Sequence, residues 1–342
     1  MKSPRYQLLP RKWLAWITSL LAVAVIVWQV RHHQALSMQS LDWGQLSPDR
    51  WSLLAFAALL VPVNWGIEAL KWHALLERKR SSIGQSYREV IVGATWGFLT
   101  PNRSGDAVAR LALLPATDRA RGLRSFGWSA WSQAGMTLTF GALAWAWWIL
   151  IDDSNSSGVS ANGFSGLLSL GGIEALRAIP WIASAGAIGW WSLGWANHRF
   201  GRKMMLRLEK RIRLPHWLAA QSNESVAMIR SRLPVILVLS AARYGVFACQ
   251  FALGLMAYGF IGFTELLGTV ALVYWGNMII PTAALAEMGV REALIILLIQ
   301  PQPEMVVPLI AGTFSIWMLN LVLPALLGAI MGFQSMNVAH EH

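Results

Sequence analysis

Gly93-Ala94-Thr95-Trp96-Gly97-Phe98-Leu99-Thr100-Pro101-Asn102-Arg103-Ser104-Gly105-Asp106 is an apolar helical run that stops at a proline and turns at once to charge. The Pro101 ring fixes φ and removes an N–H, and Gly105 relaxes the backbone just beyond. The run before the break is therefore too short to cross a bilayer. A second stretch repeats the device: Gly276-Asn277 leads to Pro281, then to Glu287-Met288-Gly289-Val290-Arg291-Glu292 and a further apolar run ending near Gln300. A charged side chain at mid-membrane costs at least about 2.5–3.5 kcal/mol on insertion scales, so such charges persist where they are paired, hydrated or in use. Broken helices in matching places of two halves, each carrying ionisable groups, point to the substrate site of a transporter.

Composition agrees with a bilayer as solvent. Of 342 residues, 55% are apolar and 13% charged, with a mean hydropathy of +0.46. Crossing about 30 Å of hydrocarbon takes roughly 20 helical residues, and apolar stretches of that order lie near 13–30, 51–70, 126–151, 178–196, 233–260 and 305–333. The reading is an all-α polytopic membrane protein, one integral domain over 1–342, with about six full spans and two broken or re-entrant elements near 88–116 and 264–300. Each broken element enters and leaves on one side, so neither changes the topology.

Basic residues resist translocation and so mark the cytoplasmic side. Lys2, Arg5, Arg11 and Lys12 precede the first stretch; Arg78, Lys79, Arg80 and Arg88, then Arg119, Arg121 and Arg124, then the run from Arg199 to Arg232 fall on the same side. The opposite loops hold Arg31, Arg50 and Arg177 among the basic residues, and the 152–177 loop is rich in Ser and Gly. This places both termini in the cytoplasm. Residues 197–232 form a basic, amphipathic cytoplasmic loop that anionic lipid attracts by about 1 kcal/mol per basic side chain.

A net charge of +11 could suggest nucleic acid, but the basic residues hug span ends, so no nucleic-acid partner is expected. The single Cys249 excludes a disulfide framework and is a packing residue. The first apolar run ends at Arg31-His32-His33 without a clear cleavage site and reads as a retained helix. Twenty tryptophans, in clusters such as Trp145-Trp147-Trp148 and Trp190-Trp191, read as interfacial belts. Trp96, beside the first break, is the best single candidate for binding, and Gly93 with Gly97 forms a GxxxG that permits close helix approach.

If 103–116 is helical, Arg103, Asp106 and Arg110 share one face. Their charges, with those of Glu287, Arg291 and Glu292, balance in number and can neutralise one another at rest, or exchange partners with a phosphate. The helix after each break also presents a positive dipole end to an anion. The two elements enter from opposite sides, as an inverted repeat would have them. In 51–70, Asn64, Glu68 and Lys71 line one helix; Lys71 is within snorkelling reach of water. Arg243 needs an acidic partner, for which Glu68 or a lipid phosphate is the candidate. His73 reads as interfacial. Pro101, Gly105, Pro281 and Gly289 are the candidate hinges.

The chain resembles the membrane domain of bacterial lysylphosphatidylglycerol synthase/flippase proteins and their stand-alone flippase-like relatives. The resemblance is carried by Asn64-Trp65-Gly66-Ile67-Glu68-Ala69-Leu70-Lys71-Trp72, by Thr100-Pro101-Asn102-Arg103-Ser104-Gly105-Asp106 with Arg110, and by Gly289-Val290-Arg291-Glu292-Ala293 after Pro281. It implies carriage of lipid between the leaflets of a bacterial inner membrane, with anionic membrane lipids as partners and an envelope-synthesis enzyme as a further one. Larger relatives carry a soluble aminoacyl-transferase domain after the membrane part; here the sequence ends at His342, so aminoacylation is not expected. Relatives also often have a Gly-rich run where this chain has Thr282-Ala283-Ala284-Leu285-Ala286-Glu287.

The expected function is movement of an anionic phospholipid or polyprenyl-phosphate-linked lipid. A secondary transporter of a soluble anion and a non-transporting scaffold are the competing classes. No nucleophile–base pair, metal-ligand set or nucleotide-binding loop is evident, so neither an enzyme, a metal nor a cofactor is expected.

Overall fold

The computed structural model describes residues 48–76, 82–100, 103–152, 179–192, 222–260, 262–280 and 284–339, and the regular structure among them is helical, with no strand. Helix α1 is Pro48–Leu76, α2 Ile83–Leu99, α3 Ser104–Ala112 and, after a short 3₁₀ turn, α4 Arg119–Asp152. Helix α5 covers 179–192. Then follow α6 Ser222–Ala257, α7 Phe263–Ile279, α8 Ala284–Ile299 and α9 Val306–Trp317, which passes through a π-helical turn, Met318–Val322, into α10 Leu323–Ala339.

Among the described residues three stretches are long and apolar enough to cross a membrane: Pro48–Leu76, Ser231–Ala257 and Pro303–Gly332. They match the expected spans at 51–70, 233–260 and 305–333. The count of six is not established. Helix α4 is 34 residues long and contains 126–151, but Ser125, Ser129, Ser132, Gln133, Thr137 and Thr139 dilute its apolar character. The expected span 178–196 overlaps α5, whereas 13–30 and most of the 152–177 loop lie outside the described residues. Of the basic segment, 222–232 is helical and runs on without a break into α6, and 197–221 lies outside the described residues.

Each broken element is a 17-residue helix, an extended residue, a proline and a second helix. Helix α2 starts with Ser82 as N-cap, its Oγ accepting from the Gln85 amide at 3.2 Å. It stops at Thr100 (φ −118°, ψ 145°), and α7 stops at Ile280 (φ −90°, ψ 109°), each the residue before a proline, where the α region is disfavoured. Pro62 and Pro234, by contrast, sit inside α1 and α6 without ending them.

Helix α1 packs most extensively on α6; the α2–α3 hairpin leans on α10, α7 on α4, and α9 on α6. One apolar cluster joins Trp65, Trp72, Leu76, Val90, Ile91 and Leu114 at the first hairpin. Another joins Phe251, Leu255, Val270, Val273, Ile295 and Ile316 at the second. The apolar residues left outside, including Phe56 and Leu59 on α1, Val235 and Val238 on α6 and Leu326 and Ile330 on α10, are more than two-fifths exposed. A helical protein that presents such residues outward and charges inward has the polarity a bilayer demands.

The tryptophans of the quoted clusters take part in helix packing. Trp145 and Trp148 are buried, and the indole N–H groups of Trp190 and Trp191 donate to the Trp131 carbonyl and Thr139 Oγ1 at 3.1 and 2.9 Å. They fill helix contacts because α4 and α5 carry facing glycines and small residues: a Cβ at Gly135 would meet Trp191 at 2.6 Å. Gly66, midway along α1, has nothing within 4 Å of where its Cβ would stand. Gly66→Ala is therefore expected to raise stability by up to about 1 kcal/mol from helix propensity alone, read as a higher melting temperature in detergent.

Candidate functional site

Thr100 organises the first break. Its Oγ1 donates to the Trp96 carbonyl at 2.8 Å and accepts from the Gly105 amide at 2.7 Å, tying the end of α2 to the start of α3. Arg103 turns the chain in the left-handed region (φ 55°) as the N-cap of α3. It is thus not on the α3 face with Asp106 and Arg110, as a helix from 103 would have it. Its Nε is buried and finds no hydrogen-bond acceptor among the described residues.

The two glycines of the GxxxG set how closely α3 lies on α2. A Cβ at Gly93 would strike Asp106 Oδ1 and stand 2.9 Å from Arg110 Cγ; one at Gly97 would stand 3.2 Å from Asp106 Cβ and 3.6 Å from Arg103 Cβ. Gly105 similarly has no room for a side chain, since a Cβ there would strike the Trp96 carbonyl. The bare α2 backbone is the floor on which the charges of α3 rest.

Asp106 and Arg110, one turn apart, form a bidentate pair at 2.6 and 2.9 Å. Arg110 reaches on to Glu68 Oε1 at 3.1 Å, and its guanidinium lies over Trp72 and Phe126 at 5.4 and 5.5 Å. Glu68 is the hub: its Oε2 also takes Lys71 Nζ at 3.0 Å and Arg243 at 3.1 Å, and Ser129 donates to its Oε1 at 3.2 Å. Arg243, placed against Glu68 as the sequence suggests, gives its Nε to Asn64 Oδ1 at 3.1 Å and faces Trp65 and Phe247 at 5.5 and 5.1 Å. Lys71 does not snorkel. It is 0% exposed, because Glu68 and the oxygens of Gln133 and Ser240 draw it into the bundle.

Lys71, Arg110 and Arg243 thus surround Glu68 and Asp106, three cations on two carboxylates, and Arg103 stands close enough to repel Arg243. The group carries surplus positive charge in a buried place, which is costly unless a further anion joins it.

The second break forms its own group. Arg291 pairs with Glu287, which accepts from Asn277 at 3.4 Å, and Arg291 lies over Tyr274 and Phe251 at 5.4 and 6.0 Å. Glu292 is buried on α8, as is Gly289. No ion pair joins this group to the first among the described residues. Aromatic rings stand between them: Phe247 carries Arg243 on its face and meets Tyr274 at 6.4 Å and 73°, and the Tyr274 hydroxyl donates to the Phe247 carbonyl at 3.3 Å. Pro101 and Pro281 lie outside the described residues, so the hinge assignment can be placed only for Gly105 and Gly289, both inside helices.

Trp96 is 53% exposed on α2, and His73 Nδ1 bonds Ser86 Oγ at 3.1 Å. Among the described residues no three His, Cys, Asp or Glu side chains converge as metal ligands. Sequence reasoning missed Ser129, which donates to Glu68, Gln133 and Ser240, which receive Lys71, Ser132, which bonds Ser240, and Glu89, buried and accepting from Trp72 Nε1 at 2.8 Å. Serine and glutamine scattered along α4 gave no pattern; only their shared 3.6-residue face could have marked them.

Comparison of the chain with protein-family models, with curated proteins and with solved structures gives no match in any of the three. The family resemblance rests on the three quoted segments alone.

Proposed function

We propose that this protein carries an anionic lipid, phosphate-bearing headgroup first, between the leaflets of a bacterial inner membrane. The observation that supports it is the surplus of buried positive charge around Glu68 and Asp106, together with the Arg103 Nε that has no acceptor. A phosphate entering beside Arg103 would supply the missing anion and could take Arg110 or Arg243 from Glu68, which keeps Lys71. Charge-assisted and bidentate bonds of this kind are the strong ones. The acyl or prenyl tails stay in hydrocarbon, so only the headgroup must be desolvated. Two of the three family-like segments, 64–72 and 100–110, supply most of this group, which favours the same reading. The second hairpin, entering from the other side in an inverted arrangement, would serve as the second gate, with Arg291, Glu287 and Glu292 along the path.

The test uses protein in liposomes containing a fluorescent-headgroup anionic lipid. Arg103→Gly suits it, because glycine accepts the left-handed backbone that Arg103 holds at φ 55° while losing the guanidinium. Wild type is expected to accelerate leaflet exchange, and Arg103→Gly to lose most of that activity with its melting temperature nearly unchanged. Wild-type exchange no faster than in empty liposomes sinks the reading. Transport of a soluble anion without lipid exchange would favour the competing class.

A further inference from the structure

Lys71 is a charged side chain held as a bound ion would be. Its ammonium donates to Gln133 Oε1 on α4 at 3.3 Å and to Ser240 Oγ on α6 at 3.4 Å, and it stands in ion-pair contact, 3.0 Å, with Glu68 Oε2 on α1, an oxygen that also faces Arg243 at 3.1 Å. Neighbouring bonds fix these atoms as acceptors. Ser132 spends its proton on the Ser129 carbonyl at 2.9 Å, so in the 2.9 Å contact between Ser132 and Ser240 it is Ser240 that donates, leaving its lone pairs to the ammonium. The Gln133 amide nitrogen points to the Ser240 carbonyl at 3.5 Å, which turns its oxygen toward Lys71. Lysine is almost never fully buried unless paired, and here the side chain is 0% exposed. A carboxylate, an amide oxygen and a hydroxyl are the hard oxygen donors that cations take, and the occupant here, an ammonium, carries one charge.

We propose that the Glu68–Gln133–Ser240 cage is a monovalent-cation site which Lys71 fills permanently from within the chain. A dissolved ion that binds such a place joins α1, α4 and α6 only while it is present. Lys71 joins them always, so this junction of α1, α4 and α6 needs no sodium or potassium. The same cage, emptied of its ammonium, becomes able to take a free one.

The experiment reads melting temperature by tryptophan fluorescence on the full chain in detergent, which makes it independent of whether lipid is carried. Wild type is expected to melt alike in sodium, potassium, ammonium and tetramethylammonium chloride at equal ionic strength. Lys71→Ala is expected to melt lower in tetramethylammonium chloride and to recover with ammonium by about 2 °C or more, rising with the logarithm of concentration as site binding requires. Tetramethylammonium is the control, being too large and unable to donate. If Lys71→Ala cannot be isolated in tetramethylammonium chloride, preparation in ammonium chloride decides the matter through yield: recovery supports the cage, and equal loss in both salts counts against it. A wild type stabilised by sodium, or a Lys71→Ala indifferent to the cation, overturns the proposal. Loss of lipid exchange with these melting results intact would overturn only the lipid reading.

Discussion

Glu68→Gln is expected to destabilise the protein by about 3–5 kcal/mol, the range for removing one partner of a buried ion pair. The reason is that one carboxylate serves Lys71, Arg110 and Arg243 together, so its neutralisation leaves three cations with Asp106 as the sole counter-charge in the group. Glutamine keeps the shape and one acceptor oxygen, so the effect reads charge rather than a cavity. The half-buried pair of Arg121 and Asp118, 3.9 Å apart and each more than a quarter accessible, sets the contrast. Asp118→Asn should change stability by well under about 1 kcal/mol. Adding Lys71→Met to Glu68→Gln should restore part of the loss, a coupling of at least about 1 kcal/mol by double-mutant cycle. A Glu68→Gln melting point within the scatter of Asp118→Asn would remove Glu68 from its central position.

Gly93→Ala is the second large effect, although it adds one methyl. Helix propensity favours alanine by about 1 kcal/mol, yet the new Cβ would strike Asp106 Oδ1 and the Arg110 stem. Overpacking costs about 1–3 kcal/mol, and here the atom that must yield belongs to a buried bidentate pair with no slack. The net expectation is a loss of about 2 kcal/mol or more, with lipid exchange abolished because α3 is lifted from α2. Gly97→Ala, whose Cβ would stand 3.2 Å from Asp106 Cβ, should fall between Gly93→Ala and the stabilising Gly66→Ala. Melting temperatures of the three variants check the order, and equal values for Gly93→Ala and Gly66→Ala would contradict it.

Much of this was legible in the sequence because prolines and charges inside apolar runs are rare and their cost is large. The two breaks, with an extended residue before each proline, stood where Pro101 and Pro281 required. The partnership of Glu68 with Arg243 followed from the need of each for an opposite charge. What failed to show was anything set by packing between distant segments. The GxxxG at Gly93 and Gly97 was readable as a close contact, but not as a contact with α3 of the same hairpin. Lys71 looked long enough to reach water, and only the positions of Gln133 and Ser240, on helices far along the chain, explain why it turns inward. The separation of Arg103 and Arg110 from Arg291 by aromatic rings likewise depends on how α6 and α7 are rotated, which no single segment encodes.

Arg243, Phe247 and Phe251 recur at one-turn intervals on α6, the first on Glu68, the second between Arg243 and Tyr274, the third beneath Arg291. Both polar groups are consequently geared to a single shaft. Turning α6 by one residue, about 100°, would disengage Arg243 from Glu68 and withdraw the ring under Arg291 in the same motion.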